Sequence, residues 1–174
     1  MPELRIRPAV PADIPTILAM VRELAVYENE PVSTVEASEA DLMRDCFGER
    51  ANCEVLIGEV DGAIQGFTLF LHNYSTWLGR AGMHVEDLYV REAARGTGLG
   101  RKLLAHVARI ARERNCKRLE LSVLHWNPAR AFYERLGFVE TEEWRRYRLQ
   151  GEALRQLAAE SVAERPGQGG SPCE

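Results

Sequence analysis

The 174-residue chain has little of what marks several large classes of protein. No uninterrupted apolar run approaches the ~20 residues that span a bilayer, and the opening Met1-Pro2-Glu3-Leu4-Arg5-Ile6-Arg7 has no apolar signal region, so no membrane partner is expected. Cysteine is sparse. Cys46, Cys53, Cys116 and Cys173 show no zinc spacing and make no disulfide scaffold, which reads as reduced thiols in a cytoplasmic protein. His72, His84, His106 and His125 are dispersed without a local ligand pattern, so no metal is expected. Positive charge is not concentrated either. Against 26 acidic residues stand 22 Lys and Arg, mostly scattered, which argues against nucleic acid as a partner and suits an acidic pocket for a cationic substrate.

What is present fits one α/β domain over residues 1–160, followed by a 161–174 tail, rich in Gly and Pro, that is expected to be disordered. Leu4 to Arg7 alternates as a strand. Asp13 stands where it would cap or charge a helix carrying Ile14, Ile17, Leu18, Val21 and Leu24 on one face, closing near Tyr27-Glu28. Ser38 reads as the cap of a helix over Glu39 to Cys46 that stops at Gly48. Strands over Glu54–Val60 and Ala63–His72 are joined by Asp61-Gly62, a strong hairpin signal, and Asn73 to Arg80 reads as a polar-aromatic loop. A strand through Val85 and Val90, a helix over Leu99 to Arg112, and a strand over Arg118–Leu124 follow. Pro128 opens a helix running to about Leu136; strands are then expected from Phe138-Val139 and over Trp144–Leu149, and a last helix over Gly151–Glu160. Strand-helix-strand crossovers must be parallel, so the sheet is mixed and flanked by helices. Ligands in such sheets sit off the carboxyl ends of neighbouring strands, here where the strand ending near Val90 meets the one ending near Leu124.

The strongest local signal is Arg95-Gly96-Thr97-Gly98-Leu99-Gly100, between an apolar strand and an amphipathic helix. Glycines at every second position let backbone N–H groups approach a ligand, and the helix start adds free N–H groups and a positive dipole end. With Arg95, Arg101 and Lys102 this is an anion site. A Walker loop needs Lys-Ser or Lys-Thr after its last glycine, and a dinucleotide fingerprint needs its third glycine at 101 or 103; Arg101-Lys102-Leu103 satisfies neither. The pattern Arg-x-x-Gly-x-Gly after a strand bearing acids resembles the pyrophosphate loop of the GCN5-related N-acetyltransferases. That resemblance implies acetyl-CoA as co-substrate, held by Arg95, Gly96, Thr97, Gly98, Leu99, Gly100 and Arg101.

Acetyl transfer to an amine requires removal of a proton from a group with pKa near 10.4, stabilisation of an oxyanion, and protonation of the departing thiolate. Glu86, just upstream of the loop, is placed to take the amine proton, directly or through water. Asp87 points the other way in a regular strand, so the two acids line one pocket only if the strand bulges. Backbone N–H near Leu88 or Tyr89 would then face the acetyl carbonyl, and Val90 completes the cofactor-binding strand. The segment Asn127 to Phe138 resembles the second signature of the family, which implies that Tyr133 protonates CoA and Asn127 contacts the cofactor.

The likeness extends further. Glu23 to Glu28, the Tyr74-Ser75-Thr76-Trp77 loop with Gly79-Arg80, Val85 to Val90, Val123 to Asn127 and Leu149 to Leu154 are similar to the diamine acetyltransferases, above all their thialysine Nε-acetyltransferase branch. This implies a small amine substrate, a homodimer with active sites near the interface, and substrate contacts from Tyr27, Glu28, Trp77, Glu86, Asp87 and Glu142, with Glu143 as the neighbouring alternative. Acetylation of a protein or peptide amine is the second enzymatic reading, and a CoA-binding sensor that has lost catalysis is the reading from another class. Which amine is preferred is left open by the sequence.

Overall fold

A computed structural model describes residues 2–163. By internal contacts the chain divides into two units, Met1–Arg130 and Ala131–Glu174. The first unit contains a five-stranded sheet, β1 (Leu4–Pro8), β2 (Glu54–Val60), β3 (Ala63–Ser75), β4 (Arg80–Val90) and β5 (Leu119–Leu121), in that spatial order. The first three pairings are antiparallel, and β4 with β5 is parallel, as the intervening helix α3 (Leu99–Glu113) requires. Helices α1 (Ile14–Tyr27) and α2 (Glu39–Phe47) precede the hairpins.

Alternation along the strands sends side chains to two faces. On one, Ile17 and Met20 of α1 pack with Val55, Ile57, Phe67 and Tyr89. On the other, Leu99 lies against Gly58 and Gly66, where an added Cβ would come within 3.0 and 3.3 Å of it. Leu103, Leu104 and Val107 continue that buried stripe, which is why α3 forms where its apolar spacing says it should. The β2–β3 turn places Asp61 and Gly62 at φ 49° and 80°, the two positive angles of a tight hairpin. Ser38 caps α2, its Oγ accepting from Asp41 N–H at 3.2 Å. Asp13 does not cap α1. Its carboxylate accepts instead from Val10 N–H and from Arg7, bracing β1 against the helix entry.

The hairpin of β3 and β4 is longer than the sequence suggests. Asn73, Tyr74 and Ser75 pair with Gly82, Ala81 and Arg80, so the expected loop shrinks to a turn over 76–79, with Gly79 at φ 59°. Conversely β5 keeps three residues of the seven expected. Beyond Val85, β4 offers it no partner, and unpaired residues have no ladder to join.

In the second unit, α4 (Ala129–Arg135) begins at the end of the first and terminates before Gly137 at φ 92°, and α5 (Gly151–Ala163) runs beyond the expected Glu160 into the segment assigned to the tail. The remainder of that tail, 164–174, lies outside the described residues. Neither Phe138-Val139 nor Trp144–Leu149 is a strand. Alternation shows only that a segment suits pairing, not that an edge receives it; Val139, Trp144 and Tyr147 are left exposed.

Candidate active site

The register of the β3–β4 pair slips at one point. Leu69 stands opposite Asp87 and Phe70 opposite Val85, which leaves Glu86 as the extra residue of a β-bulge. This is the irregularity that two adjacent acids need if both are to act at one place. Tyr89 faces α1, so by alternation Asp87 does too, and α1 ends there with Tyr27 and Glu28. Burial and the charges of Glu86 and Glu28 push the Asp87 carboxyl up to about 6. Glu28 is also shifted up, by burial and then by Glu30. Glu86 is exposed and lies 3.4 Å from His84 Nε2, while the buried Thr68 hydroxyl donates to the Asp87 carbonyl at 2.9 Å, pinning the backbone at the bulge.

The same point ends the β4–β5 ladder. β5 pairs with Met83, His84 and Val85 only, whereas β3 stays paired with β4 through Gly66 and Val90. From Glu86 to Val90, the edge of β4 turned away from β3 therefore has no strand partner among the described residues, so the outward-turned N–H groups of alternate residues are left for an extended ligand, while the Val90 carbonyl accepts from Arg95. Leu88, Tyr89 and Val90 are on this stretch; the Tyr89 side chain is buried in the core and its main chain stands opposite Phe67 of β3, so the outward-turned groups are those of Leu88 and Val90.

The loop at the carboxyl end of β4 has the expected backbone. Gly96 and Gly98 sit at φ 79° and 91°, and a Cβ at either would meet nothing within 4 Å, so the concave backbone is clear on the outside. Thr97 Oγ1 donates to Ala94 O at 2.7 Å, holding the turn, and the buried Leu99 anchors the helix start in the sheet. Leu99 can thus offer a ligand its backbone but not its side chain. Gly100 is half-buried, and Arg101 is exposed on the first turn of α3. These residues fit a pyrophosphate, which takes backbone N–H donors at a helix N-terminus flanked by cations.

Arg95 does more than supply charge. Its Nε donates to Val90 O at 3.0 Å and its guanidinium lies over the Tyr27 ring at 4.4 Å. The Tyr27 hydroxyl in turn donates to Asn127 Oδ1 at 3.3 Å, and the same oxygen accepts from Ala129 N–H at 2.9 Å. Asn127, buried to 6% exposure, is therefore both the cap of α4 and a partner of Tyr27, and the phosphate loop, the acceptor helix and the start of α4 are joined through Tyr27. No local pattern of residues gave a sign of this chain of contacts. None did so for Arg91, which clasps Glu23 of α1 at 2.9 and 3.1 Å and so ties α1 to the end of β4. Partners 68 residues apart leave no periodic trace.

One expected substrate contact stands apart from the bulge along the first unit's own hairpin. Trp77 is 87% exposed on the β3–β4 turn; at about 3.4 Å per residue it stands roughly 20 Å or more along the hairpin from Glu86. Glu142 belongs to the second unit and is exposed, as is Glu143. Tyr133, also in that unit, sits on α4 with its ring 5.3 Å from Phe132 and edge-on to Phe138 at 5.8 Å.

The profile of the Acetyltransferase (GNAT) family matches residues 18–138. Among curated relatives, a thialysine N-epsilon-acetyltransferase from Bos taurus is 39% identical over 165 residues, covering 88% of this chain and 96% of that protein. The corresponding Caenorhabditis elegans enzyme is 36% identical over 149 residues, covering 83% and 90%. Among solved structures, an integron cassette protein from the mobile metagenome of V. cholerae superposes with TM-score 0.73 at 28% identity, covering 89% of this chain and 97% of that one. A bulged strand whose outer edge is unpaired beyond Val85, a glycine loop at a helix start and these matches agree: the chain belongs to the acetyltransferase (GNAT) family and is an N-acetyltransferase.

Proposed function

We propose that the protein transfers the acetyl group of acetyl-CoA directly to a small primary amine, a diamine, polyamine or thialysine-like amino acid. The observation that carries this reading is the group Glu28, Glu86 and Asp87 at the bulge, three carboxylates that pair with no Lys or Arg among the described residues. Such a group attracts a cationic acceptor and holds it by charge. The relatives named as thialysine acetyltransferases support the substrate class.

In this reading the loop Gly96 to Gly100, its backbone clear at Gly96 and Gly98, receives the pyrophosphate with Arg101, and the unpaired edge of β4 receives the arm that leads to the thioester. Backbone N–H near Leu88 stabilises the developing oxyanion. Glu86, the exposed bulge residue, takes the amine proton directly or through water, while Asp87 and Glu28 hold the cation. Tyr133, on the strength of its motif, protonates the thiolate; Asn127 acts by positioning Tyr27 and α4. A homodimer in the cytoplasm completes the proposal. Trp77, at the far tip of the hairpin, reaches an acceptor only in a site shared with a second copy.

The test is release of CoA thiol by purified protein with acetyl-CoA across diamines, polyamines, lysine analogues and peptides. Release with short amines supports the reading; release with peptides alone overturns it in favour of a protein acetyltransferase. Tyr133→Phe is expected to lower turnover at least about tenfold, the low end for a proton-transfer group, with acetyl-CoA affinity little changed.

A further inference from the structure

Away from the acetyl-transfer site, the connection from α2 to β2 brings two cysteines together. Cys46 lies in the last turn of α2 and Cys53 just before β2, and their sulfurs are 3.2 Å apart. The backbone holds them there. Gly48 N–H donates to Arg44 O and closes the helix, after which Asn52 and Cys53 N–H both return to Asp45 O at 2.8 and 3.3 Å. The Cys53 thiol itself lies 3.5 Å from that carbonyl. A disulfide S–S bond is ~2.05 Å, so about an ångström of approach completes it.

We propose that Cys46 and Cys53 form an oxidisable dithiol site that a hydroperoxide converts to an intrachain disulfide. Both side chains are half-buried, which admits a small oxidant. Cys53, in the irregular segment outside α2, is assigned the first reaction and Cys46, in the last turn of the helix, the resolving one; burial, and then Cys53, raise the Cys46 thiol. The Cys53 thiolate attacks one peroxide oxygen and breaks the O–O bond, giving a sulfenic acid and one molecule of water or alcohol. The Cys46 sulfur then attacks Cys53 sulfur, its proton leaving with the displaced hydroxide as water. Two thiols lose two electrons and two protons, and the peroxide accepts both.

The bond would lie against the acceptor side of the core. Cys46 and Leu42 pack on the cluster that also takes Tyr27, so the cross-link tethers α2 beneath the helix that ends in Tyr27 and Glu28. The spacing of the two cysteines matches no redox motif, which is why the sequence shows them only as separate thiols.

The test uses the full chain carrying Cys116→Ser and Cys173→Ser, treated with hydrogen peroxide and then alkylated in denaturant. Expected are a mass lower by two hydrogens, no alkylation, and two tryptic peptides, separated at Arg50, joined through Cys46 and Cys53. Dithiothreitol should restore both thiols and reverse a Tm rise of several degrees. Cross-linking should be at least about tenfold faster in folded than in urea-unfolded protein, and Cys46→Ser should stop the reaction at a Cys53 sulfenic acid trapped by dimedone. Two alkylated cysteines after peroxide, sulfinic acid without a cross-link, bonds only between chains, or equal rates in folded and unfolded protein would each overturn the proposal.

Discussion

Asp13 and Asp87 are both aspartates set against the sheet of the first unit, and their acidities move in opposite directions. The Arg7 guanidinium grips Asp13 at 2.6 and 2.9 Å and holds its carboxyl below the usual range, while its Nε donates to the buried Glu59 at 2.7 Å. Asp87 is raised by burial, Glu86 and Glu28, and pairs with no arginine among the described residues. A carboxylate that serves the fold is given its cation within the chain. One left charged and uncompensated beside an open strand edge is suited to a cation that arrives from outside.

Changing each cluster should therefore have opposite consequences. Arg7→Ala leaves Asp13 and Glu59 without their partner and should cost about 3–5 kcal/mol, read as a lowered denaturant midpoint. Asp87→Asn should do the reverse and raise Tm by a few degrees at pH 7.5. A carboxyl whose pKa is raised on folding contributes stability below its unfolded value and loses it as pH rises through the folded value, so the Asn advantage should vanish as pH falls from about 6 toward the ordinary aspartate range. Asp13 has the opposite sign, its contribution being lost in acid. In kinetics, Glu28→Gln should lower kcat/KM for a diamine about tenfold through KM, near the low end of the 1–4 kcal/mol of a charge pair between water and a protein surface. Smallest of all, Arg44→Ala removes surface pairs to Asp41 and Asp45 as short as those of Arg7, at 2.8 and 2.7 Å, and should leave Tm unchanged within error.

Much of this framework is legible along the chain because its causes are local. The Asp61-Gly62 turn, the Ser38 cap, the apolar stripe of α3 and the glycine loop each depend on residues a few positions apart. The bulge at Glu86 is different. Adjacent acids raise the question, but the answer depends on how β3 and β4 pair, and on Thr68 anchoring the Asp87 carbonyl from across the ladder. Likewise the tie from Arg95 through Tyr27 to Asn127 joins three distant segments. At Phe138 and Trp144 the alternation is present and no ladder forms, since a suitable sequence does not by itself supply a pairing partner.

The most direct test of the unpaired-carboxylate account is the pH profile of kcat/KM for a diamine, compared between the wild type and Asp87→Asn. The account predicts a fall in the wild type below pH about 6 as Asp87 takes up a proton, and a variant with lower kcat/KM at neutral pH that lacks this inflection. The imidazole of His84 is common to both proteins, so it is the difference between the profiles that reports on Asp87. Superimposable profiles with equal KM would contradict the account.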